Sequence, residues 1–216
     1  GFNHRQHKSI IKIKQLIDSK NFGKILWARG RYGKSVSKDF FQNWRSNIKL
    51  SGGGILIDQG IHMLDLLDYF CGRFDVVQSM KSSTYWYKKI EDNVFINLKN
   101  TKKNILCSMH STMTQWRHLF SLEIFLQNGY IVLNGLKTSS NSYGKEVLTY
   151  AINRSDPPEA SWTKQKNITF KSDLSFKKEI EIFVYSIIKN NKIKSGNSLD
   201  AHNILSLIEK IYSSKI

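Results

Sequence analysis

Cysteine, proline and long apolar runs are all scarce in this sequence of 216 residues, and each scarcity excludes a class of protein. The two cysteines, Cys71 and Cys107, are too few for a disulfide framework, so we expect reduced core thiols and a cytoplasmic compartment. No apolar run approaches the roughly 18 residues of a membrane-spanning helix, and no secretory leader pattern is visible. The only prolines, Pro157 and Pro158, predict a loop.

Acidic residues are also in short supply, with 17 Asp and Glu against 33 Lys and Arg and a formal net charge of +16. A nucleic-acid-binding protein concentrates its positive charge in a patch or an arm, whereas here the basic residues are scattered along the whole chain. Of the 33 basic residues, 26 are lysine and only 7 are arginine, although base readout and stacking depend mainly on arginine. We therefore expect neither nucleic acid nor a membrane among the partners.

Short motifs for cofactors and metals are missing as well. The sequence contains no G-x-G-x-x-G, the glycine pattern by which a strand–turn–helix binds the pyrophosphate of a dinucleotide. It contains no C-x-x-C and no H-E-x-x-H, which excludes the commonest zinc and redox signatures. Any chemistry must therefore come from residues outside these motifs.

Hydrophobic periodicity changes twice along the chain, from helical to strand-like and back to helical. We expect residues 1–5 to end a strand and residues 33–53 to form a long polar loop carrying Phe40, Phe41 and Trp44. A loop of that length inside a domain is usually functional. The other predicted elements are helices over 6–20, 55–70, 175–190 and 198–213, and strands over 25–32, 76–77, 94–96, 105–107, 119–126 and 130–133.

The order of these elements predicts the fold class. Successive strand-like segments are separated by turns such as Asn128-Gly129, which favours hairpins and antiparallel pairing. No internal repeat or linker divides the chain. We therefore predict one α+β domain over residues 1–216, with a mostly antiparallel open sheet and helices packed on one face.

The most informative segment begins with the triple glycine Gly52-Gly53-Gly54, which allows another group to approach the backbone closely. The apolar helix predicted after it carries Asp58, His62 and Asp65. These three residues stand at i, i+4 and i+7, so they share one face of the helix. Two carboxylates and an imidazole on a helix otherwise suited to burial need partners or a cleft.

Three interpretations of these polar residues remain open at this point. In the first, they form a satisfied buried network in which Asp65 accepts from His62 and Asp58 caps the first turn. In the second, His62 is a general acid or base whose pKa and tautomer are set by a carboxylate. In the third, Asp58, His62 and Asp65 are metal ligands, because their oxygen and nitrogen donors suit zinc, manganese or iron.

The segment GGGILIDQGIHMLD, residues 52–65, resembles the GGG-x-x-x-D-x-G-x-H-x-x-D signature of the Gfo/Idh/MocA oxidoreductases. Those enzymes pair an N-terminal Rossmann domain with a C-terminal α+β domain. The likeness extends over essentially the whole chain. Further stretches that resemble the family are residues 1–5, 21–25, 44–45 and 211–214, and those that resemble its subgroup for sugar or nucleotide-sugar substrates are 30–33, 91–93, 110–124 and 142–146.

The resemblance implies an activity: transfer of a hydride between NAD or NADP and a carbon bearing a hydroxyl, on a sugar, an inositol or a nucleotide sugar. His62 would then be the catalytic acid or base, Asp58 would assist it or orient the substrate, and no metal is expected. The residues that the resemblance places on the substrate side are Asn3, Arg5, Tyr32, Trp44, Arg45 and Trp116. Their alternative roles are core aromatics for the tryptophans and surface ion pairs for the arginines.

The family's G-x-G-x-x-G and its E-K-P segment, whose lysine helps catalysis, are both absent here. We therefore expect residues 1–216 to be the substrate-binding and dimerisation domain, without the dinucleotide-binding domain and with no cofactor-binding residues of its own. The resemblance also implies a homo-oligomer formed through the sheet. The alternatives are a non-catalytic scaffold or assembly domain of the same fold, and a metal-dependent hydrolase using Asp58, His62 and Asp65.

Overall fold

The computed structural model describes residues 1–86, 89–152 and 164–214; Pro157 and Pro158 lie outside them. Its centre is an eight-stranded sheet with the strand order β2-β3-β4-β1-β5-β6-β7-β8. All neighbouring strands are antiparallel except β1 and β4, which are parallel. This confirms the mostly antiparallel open sheet. The strands are β1 Ile25–Ser35, β2 Val76–Ser82, β3 Asn93–Asn100, β4 Ile105–Thr112, β5 Thr114–Leu126, β6 Gly129–Asn134, β7 Glu146–Ile152 and β8 Lys166–Phe170.

Five α-helices accompany the sheet in the described residues, and three of them pack on its strands. Helix α3 contacts β1 and β4, α5 contacts β2, and α1 contacts β7. On β1 the alternate residues Ala28 and Tyr32 are buried on the helix side, whereas Trp27, Arg29 and Arg31 on the opposite side are exposed. The helices are α1 Lys8–Asp18, α2 Ile48–Ser51, α3 Ile61–Cys71, α4 Ser175–Ile188 and α5 Ser198–Ser213. None of the helices within the described ranges is long and apolar enough to cross a membrane.

Two local predictions are wrong. Residues 1–5 do not end a strand, because Asn3–Gln6 forms a 3-10 turn. Residues 33–53 are not one loop: β1 continues to Ser35, and two 3-10 turns, Lys38–Gln42 and Trp44–Ser46, precede α2. The segment is ordered by its aromatic residues, since the ring of Phe41 packs against both Phe40 and Trp86.

Strands β7 and β8 were not predicted. On β7 an inward-pointing carboxylate, that of Glu146, breaks the apolar alternation that marks a half-buried strand. Strand β8 has only five residues, of which Ile168 and Phe170 are its sole apolar members. Both strands are therefore fixed by pairing with their neighbours rather than by a local pattern.

The helix predicted over 55–70 is α-helical only in its second part. Leu56–Gly60 forms a π-helical turn, and α3 continues from Ile61 to Cys71. Gly60 lets this turn lie close to β4, because a Cβ there would stand 3.1 Å from Met109 Cε and 3.2 Å from Ser111 Oγ. Turns of the π type are rare in proteins, and those that occur are often found at functional sites.

Candidate active site

A cavity of about 400 Å³ opens where the π-helical turn meets the N-terminal 3-10 turn and β1. The side chains around it are mostly polar or ionisable. They come from segments that are far apart in sequence, so only the fold brings them together. The lining residues are Asn3, His4, His7, Tyr32, Lys34, Arg45, Asp58, Gln59, His62, His118, Thr138, Ser139, Ser140, Ser142, Tyr143, Asp173 and Phe176.

His62 lies on the first turn of α3 and lines this cavity. Its ring stacks on the ring of His4, with centroids 4.2 Å apart and planes 13° from parallel. Its Nδ1 atom is buried and has no hydrogen-bond partner among the described residues. Burial, together with the positive charge of the N-terminal amino group, lowers the pKa of His62 to about 4, although the nearby charge of Asp58 acts in the opposite direction. The imidazole is therefore neutral at pH 7 and can accept a proton.

Asp58 projects from the π-helical turn and is held by two cations. Its carboxylate accepts a hydrogen bond from Lys34 on β1, and Arg45 Nε lies 3.4 Å from Asp58 Oδ1. Lys34 itself lies over the ring of Phe40, 4.7 Å from its centroid. The carboxylate is thus fixed in place next to the histidine, which is the arrangement that a general base and its supporting charge require.

Behind His62 a buried hydrogen-bond chain fixes the tautomer of His4. His4 Nδ1 lies 3.2 Å from Asn3 Oδ1, and His4 Nε2 lies 3.1 Å from the Tyr32 hydroxyl. The amide oxygen can only accept, so Nδ1 carries the proton and Nε2 accepts from Tyr32. Burial holds the pKa of His4 well below its usual value. Asn3 completes the chain by donating from Nδ2 to Ser175 Oγ at 3.0 Å.

Several cavity residues were not predicted from the sequence. Gln59 donates from Nε2 to the Tyr143 hydroxyl, while its Oε1 is buried without a partner in the described part of the chain. Lys34 is one of many scattered lysines and carried no local signal. His4 stands between Asn3 and Arg5, and Gln59 is a polar residue inside the apolar run that holds Asp58, so these two did carry a local signal.

Five of the eight predicted site residues meet in this cavity: Asn3, Tyr32, Arg45, Asp58 and His62. Trp44 and Trp116 do not line it. Both are exposed, Trp116 by 97% and Trp44 by 54%, so the alternative that they are core aromatics is wrong. Trp44 packs against the guanidinium of Arg45, whose carbon lies 4.7 Å from the ring centroid.

Arg5 also lies outside the cavity lining, and its contacts indicate a structural role. Its Nε donates to Asp65 Oδ2 at 2.8 Å and its NH1 nitrogen to Asp200 Oδ2 at 2.9 Å. The alternative of a surface ion pair is wrong too, because the side chains of Arg5 and Asp65 are only 5% and 0% exposed. Arg5 ties the N-terminal turn to α3 and α5 instead of facing a substrate.

The contacts of Asp58 and Asp65 also test the two other interpretations of this helix face, a buried polar network and a metal site. Asp65 accepts from Arg5 and not from His62, so the buried network takes a different form from the one expected. Within residues 1–86, 89–152 and 164–214, no three His, Cys, Asp or Glu side chains are grouped so as to hold a metal ion. The structure therefore does not assemble Asp58, His62 and Asp65 as a ligand set.

A mostly antiparallel open sheet backed by helices, with a neutral histidine and an ion-paired carboxylate at one cavity, defines the class as an α+β domain with an ionisable cavity. The particular family follows from the sequence match. The family model described as the GFO/IDH/MocA C-terminal domain matches residues 10–132, which is more than half of the chain. The chain belongs to this family.

Individual relatives agree with this assignment. Levoglucosan dehydrogenase of Pseudarthrobacter phenanthrenivorans is 31% identical over 85 residues, 38% of this chain and 22% of that protein. A solved levoglucosan dehydrogenase in complex with NADH and levoglucosan superimposes with a TM-score of 0.81 at 18% identity, over 99% of this chain and 62% of that one. A UDP-N-acetylglucosamine 3-dehydrogenase from Acidithiobacillus ferrooxidans gives a TM-score of 0.73 at 14% identity, over 99% and 61%. The chain thus spans about three fifths of the length of these two solved structures.

Proposed function

We propose that this chain is the substrate-binding and catalytic-histidine domain of an NAD(P)-dependent oxidoreductase. Its substrate would be a hydroxyl of a sugar, an inositol or a nucleotide sugar. The observation that carries the proposal is that His62 lines the cavity together with Asp58, whose carboxylate is fixed by Lys34. The relatives support the same chemistry, since those named above are dehydrogenases of a sugar or a nucleotide sugar.

Each cavity residue has a separate role in the proposed reaction. A nicotinamide cofactor, when bound, supplies the hydride acceptor. His62, neutral at pH 7, takes the proton of the substrate hydroxyl and becomes an imidazolium. The carboxylate of Asp58 stabilises that positive charge, and Lys34 and Arg45 keep the carboxylate in place. Gln59 lines the same cavity, and its Nε2 holds the Tyr143 hydroxyl in place.

We further propose that a dinucleotide-binding domain completes the enzyme, because the chain carries no fingerprint for one and matches only about three fifths of its solved relatives. Helix α4 offers a contact surface for it. Along this helix many apolar side chains are exposed, and Phe176 at its start lines the cavity. The exposed apolar residues of α4 are Phe176, Ile180, Ile182, Phe183, Val184, Tyr185, Ile187 and Ile188.

Residues 1–216 alone are expected to give no NAD(P)-dependent oxidation of sugars, since hydride transfer needs a bound cofactor. The same residues joined to a dinucleotide-binding domain are expected to oxidise at least one member of a panel of sugars, inositols and nucleotide sugars. Absorbance of the reduced nicotinamide measures both outcomes. Turnover by residues 1–216 alone would contradict the domain proposal, and an inactive two-domain protein with bound cofactor would contradict the oxidoreductase proposal.

A second candidate function, a non-catalytic assembly domain, is favoured by the open face of the sheet. Trp27 stacks on Phe125 with ring centroids 4.2 Å apart, and Phe95 stacks on His110 at 3.9 Å. Apolar and aromatic residues on a solvent-facing sheet indicate a contact surface. We propose that this face pairs two copies of the chain, which is compatible with either function. The assembly function alone would tolerate replacement of both His62 and Asp58.

The substitution Trp27→Glu is expected to separate such a pair, because it places a carboxylate where an aromatic stack would meet a second copy. Sedimentation equilibrium would then give 25.1 kDa for the variant and a multiple of that mass for the unchanged chain. Trp44→Glu is the matched control, since Trp44 is an exposed tryptophan away from the sheet. A mass of 25.1 kDa for the unchanged chain at high concentration would rule the pairing out.

A further inference from the structure

The triple glycine ahead of the π-helical turn is covered by two residues from distant parts of the chain, Glu91 and Tyr212. A Cβ on Gly53 would stand 2.1 Å from the Tyr212 hydroxyl oxygen. A Cβ on Gly54 would stand 2.1 Å from the carbonyl oxygen of Glu91. Since neither approach leaves room for a side chain, the close contact expected at these glycines is an internal one.

Glu91 satisfies the amide groups at the start of this helical segment. Its two carboxylate oxygens each accept from Gly54 N at 2.9 Å, and Oε1 also accepts from Leu56 N at 3.1 Å. Its own carbonyl oxygen accepts from Ile55 N at 3.1 Å. The first N–H groups of a helical segment have no acceptor within it, and a carboxylate at that end is also favoured by the helix dipole.

Tyr212 holds the carboxylate of Glu91 from the other side. Its hydroxyl donates to Glu91 Oε1 at 2.8 Å. Burial, together with the charge of Glu91, raises the pKa of Tyr212, so the hydroxyl keeps its proton and remains a donor. Because Tyr212 belongs to the last turn of α5, this bond connects the C-terminal helix to the glycine turn.

The glycine turn is continuous with the residues of the cavity. Asp58 N donates to Gly54 O at 3.1 Å, so the residue that Glu91 binds is also the first acceptor of the turn that carries Asp58. At its other end this turn rests on β4 through Gly60. His62 follows two residues later on α3. The position of both side chains thus depends on a turn that is fixed at one end by Glu91 and at the other by the sheet.

We propose that Glu91, held by Tyr212, is a positioning residue for Asp58 and His62. That this placement serves catalysis rests on the proposed function. That Glu91 fixes the position of the turn can be tested without measuring turnover. Rigid placement matters because a shift of about 1 Å in a reacting group can cost on the order of a hundredfold in rate.

The test compares Glu91→Ala with the unchanged chain by NMR. Without the carboxylate, the Gly54 and Leu56 amides lose charge-assisted bonds and are expected to exchange about tenfold faster or more. The loosened turn admits water to the histidine, so the pKa of His62 rises from about 4 toward its ordinary 6.5. Glu91→Gln keeps an acceptor oxygen and is expected to restore most of both properties. Glu123→Gln removes a carboxylate from the open sheet face and is expected to change neither.

A merely structural role would lower the melting temperature and leave the titration of His62 as it is. A folded Glu91→Ala chain with unchanged exchange at Gly54 and Leu56 and unchanged His62 titration would overturn the inference. If that variant does not fold, Tyr212→Phe removes only one hydroxyl, and an unaltered His62 titration there overturns it equally. Because none of these measurements involves hydride transfer, failure of the positioning role is distinguishable from failure of the proposed function.

Discussion

Replacing His62 by alanine in the two-domain enzyme is expected to lower turnover by about 10²- to 10⁴-fold, the usual contribution of a general acid or base. The reason is that His62 lines the cavity, is neutral at pH 7 and lies close enough to Asp58 for the carboxylate to stabilise its protonated form. Steady-state kinetics with the oxidised cofactor and a hydroxyl substrate provide the measurement. Affinity for NAD(P) is expected to remain, because the proposed dinucleotide-binding domain would hold the cofactor.

Two further variants separate base catalysis from packing. His62→Gln retains a polar side chain of similar length but cannot take up the proton, so it should be nearly as slow as His62→Ala. His202→Ala changes an exposed histidine on α5 and should have no effect. A His62→Ala enzyme with normal turnover would remove this residue from the catalytic role.

The pH dependence follows from the same histidine. The base must be neutral to act, and burial, with the positive charge of the N-terminal amino group, keeps the pKa of His62 at about 4 in residues 1–216. The rate of oxidation that depends on this base should therefore stay level from pH 8 down to about 5 and fall below about 4, as His62 becomes protonated. A fall centred near the ordinary histidine value of 6.5 would contradict a base of lowered pKa in the working enzyme.

Much of the fold could be predicted because its elements carry strong local periodicity. Helix α5 was predicted over 198–213, and the structure places it at Ser198–Ser213 with an Asn197 capping box at its start. The π-helical turn was not foreseen, because residues 55–70 form one apolar run whose hydrogen-bond pattern depends on the fit of Gly60 against β4. A sequence pattern records which face is buried but not how closely the backbone approaches its neighbour.

The candidate site was predictable only where its residues share one short segment. Asp58 and His62 are four residues apart, so helical geometry alone places them together. Lys34 reaches the same cavity from β1, and no neighbour in sequence marks it. His4 reaches it from the N-terminal turn, where only the family resemblance singled out its neighbour Asn3. Arg5 was assigned to the substrate side by the family resemblance alone. Its partners Asp65 and Asp200 are 60 and 195 residues away.

That buried ion pair leads to the largest expected change in stability. Arg5→Met is expected to destabilise the chain by about 3–5 kcal/mol, because it leaves the carboxylate of Asp65 buried without its partner. Arg29→Met breaks a pair with Glu123 in which the arginine side chain is 52% exposed, and should cost only about 0–1 kcal/mol. Urea unfolding of residues 1–216 measures both. Equal losses in the two variants would contradict the assignment of Arg5 to the core.

The loss of unfolding free energy in Arg5→Met should also increase with pH. Burial raises the pKa of Asp65 to about 6 even against the pull of Arg5, whereas the unfolded value is about 3.9. A carboxyl with a raised folded pKa contributes stability that is fully present below its unfolded pKa and is lost as the pH rises through the folded one. In Arg5→Met the pKa of Asp65 in the folded chain rises further, because the arginine no longer lowers it. The stability that Asp65 contributes therefore continues to fall above pH 6, whereas in the unchanged chain it no longer changes there. The difference in unfolding free energy should therefore be larger at pH 8 than at pH 6, and Asp65→Asn, which cannot ionise, should abolish that dependence.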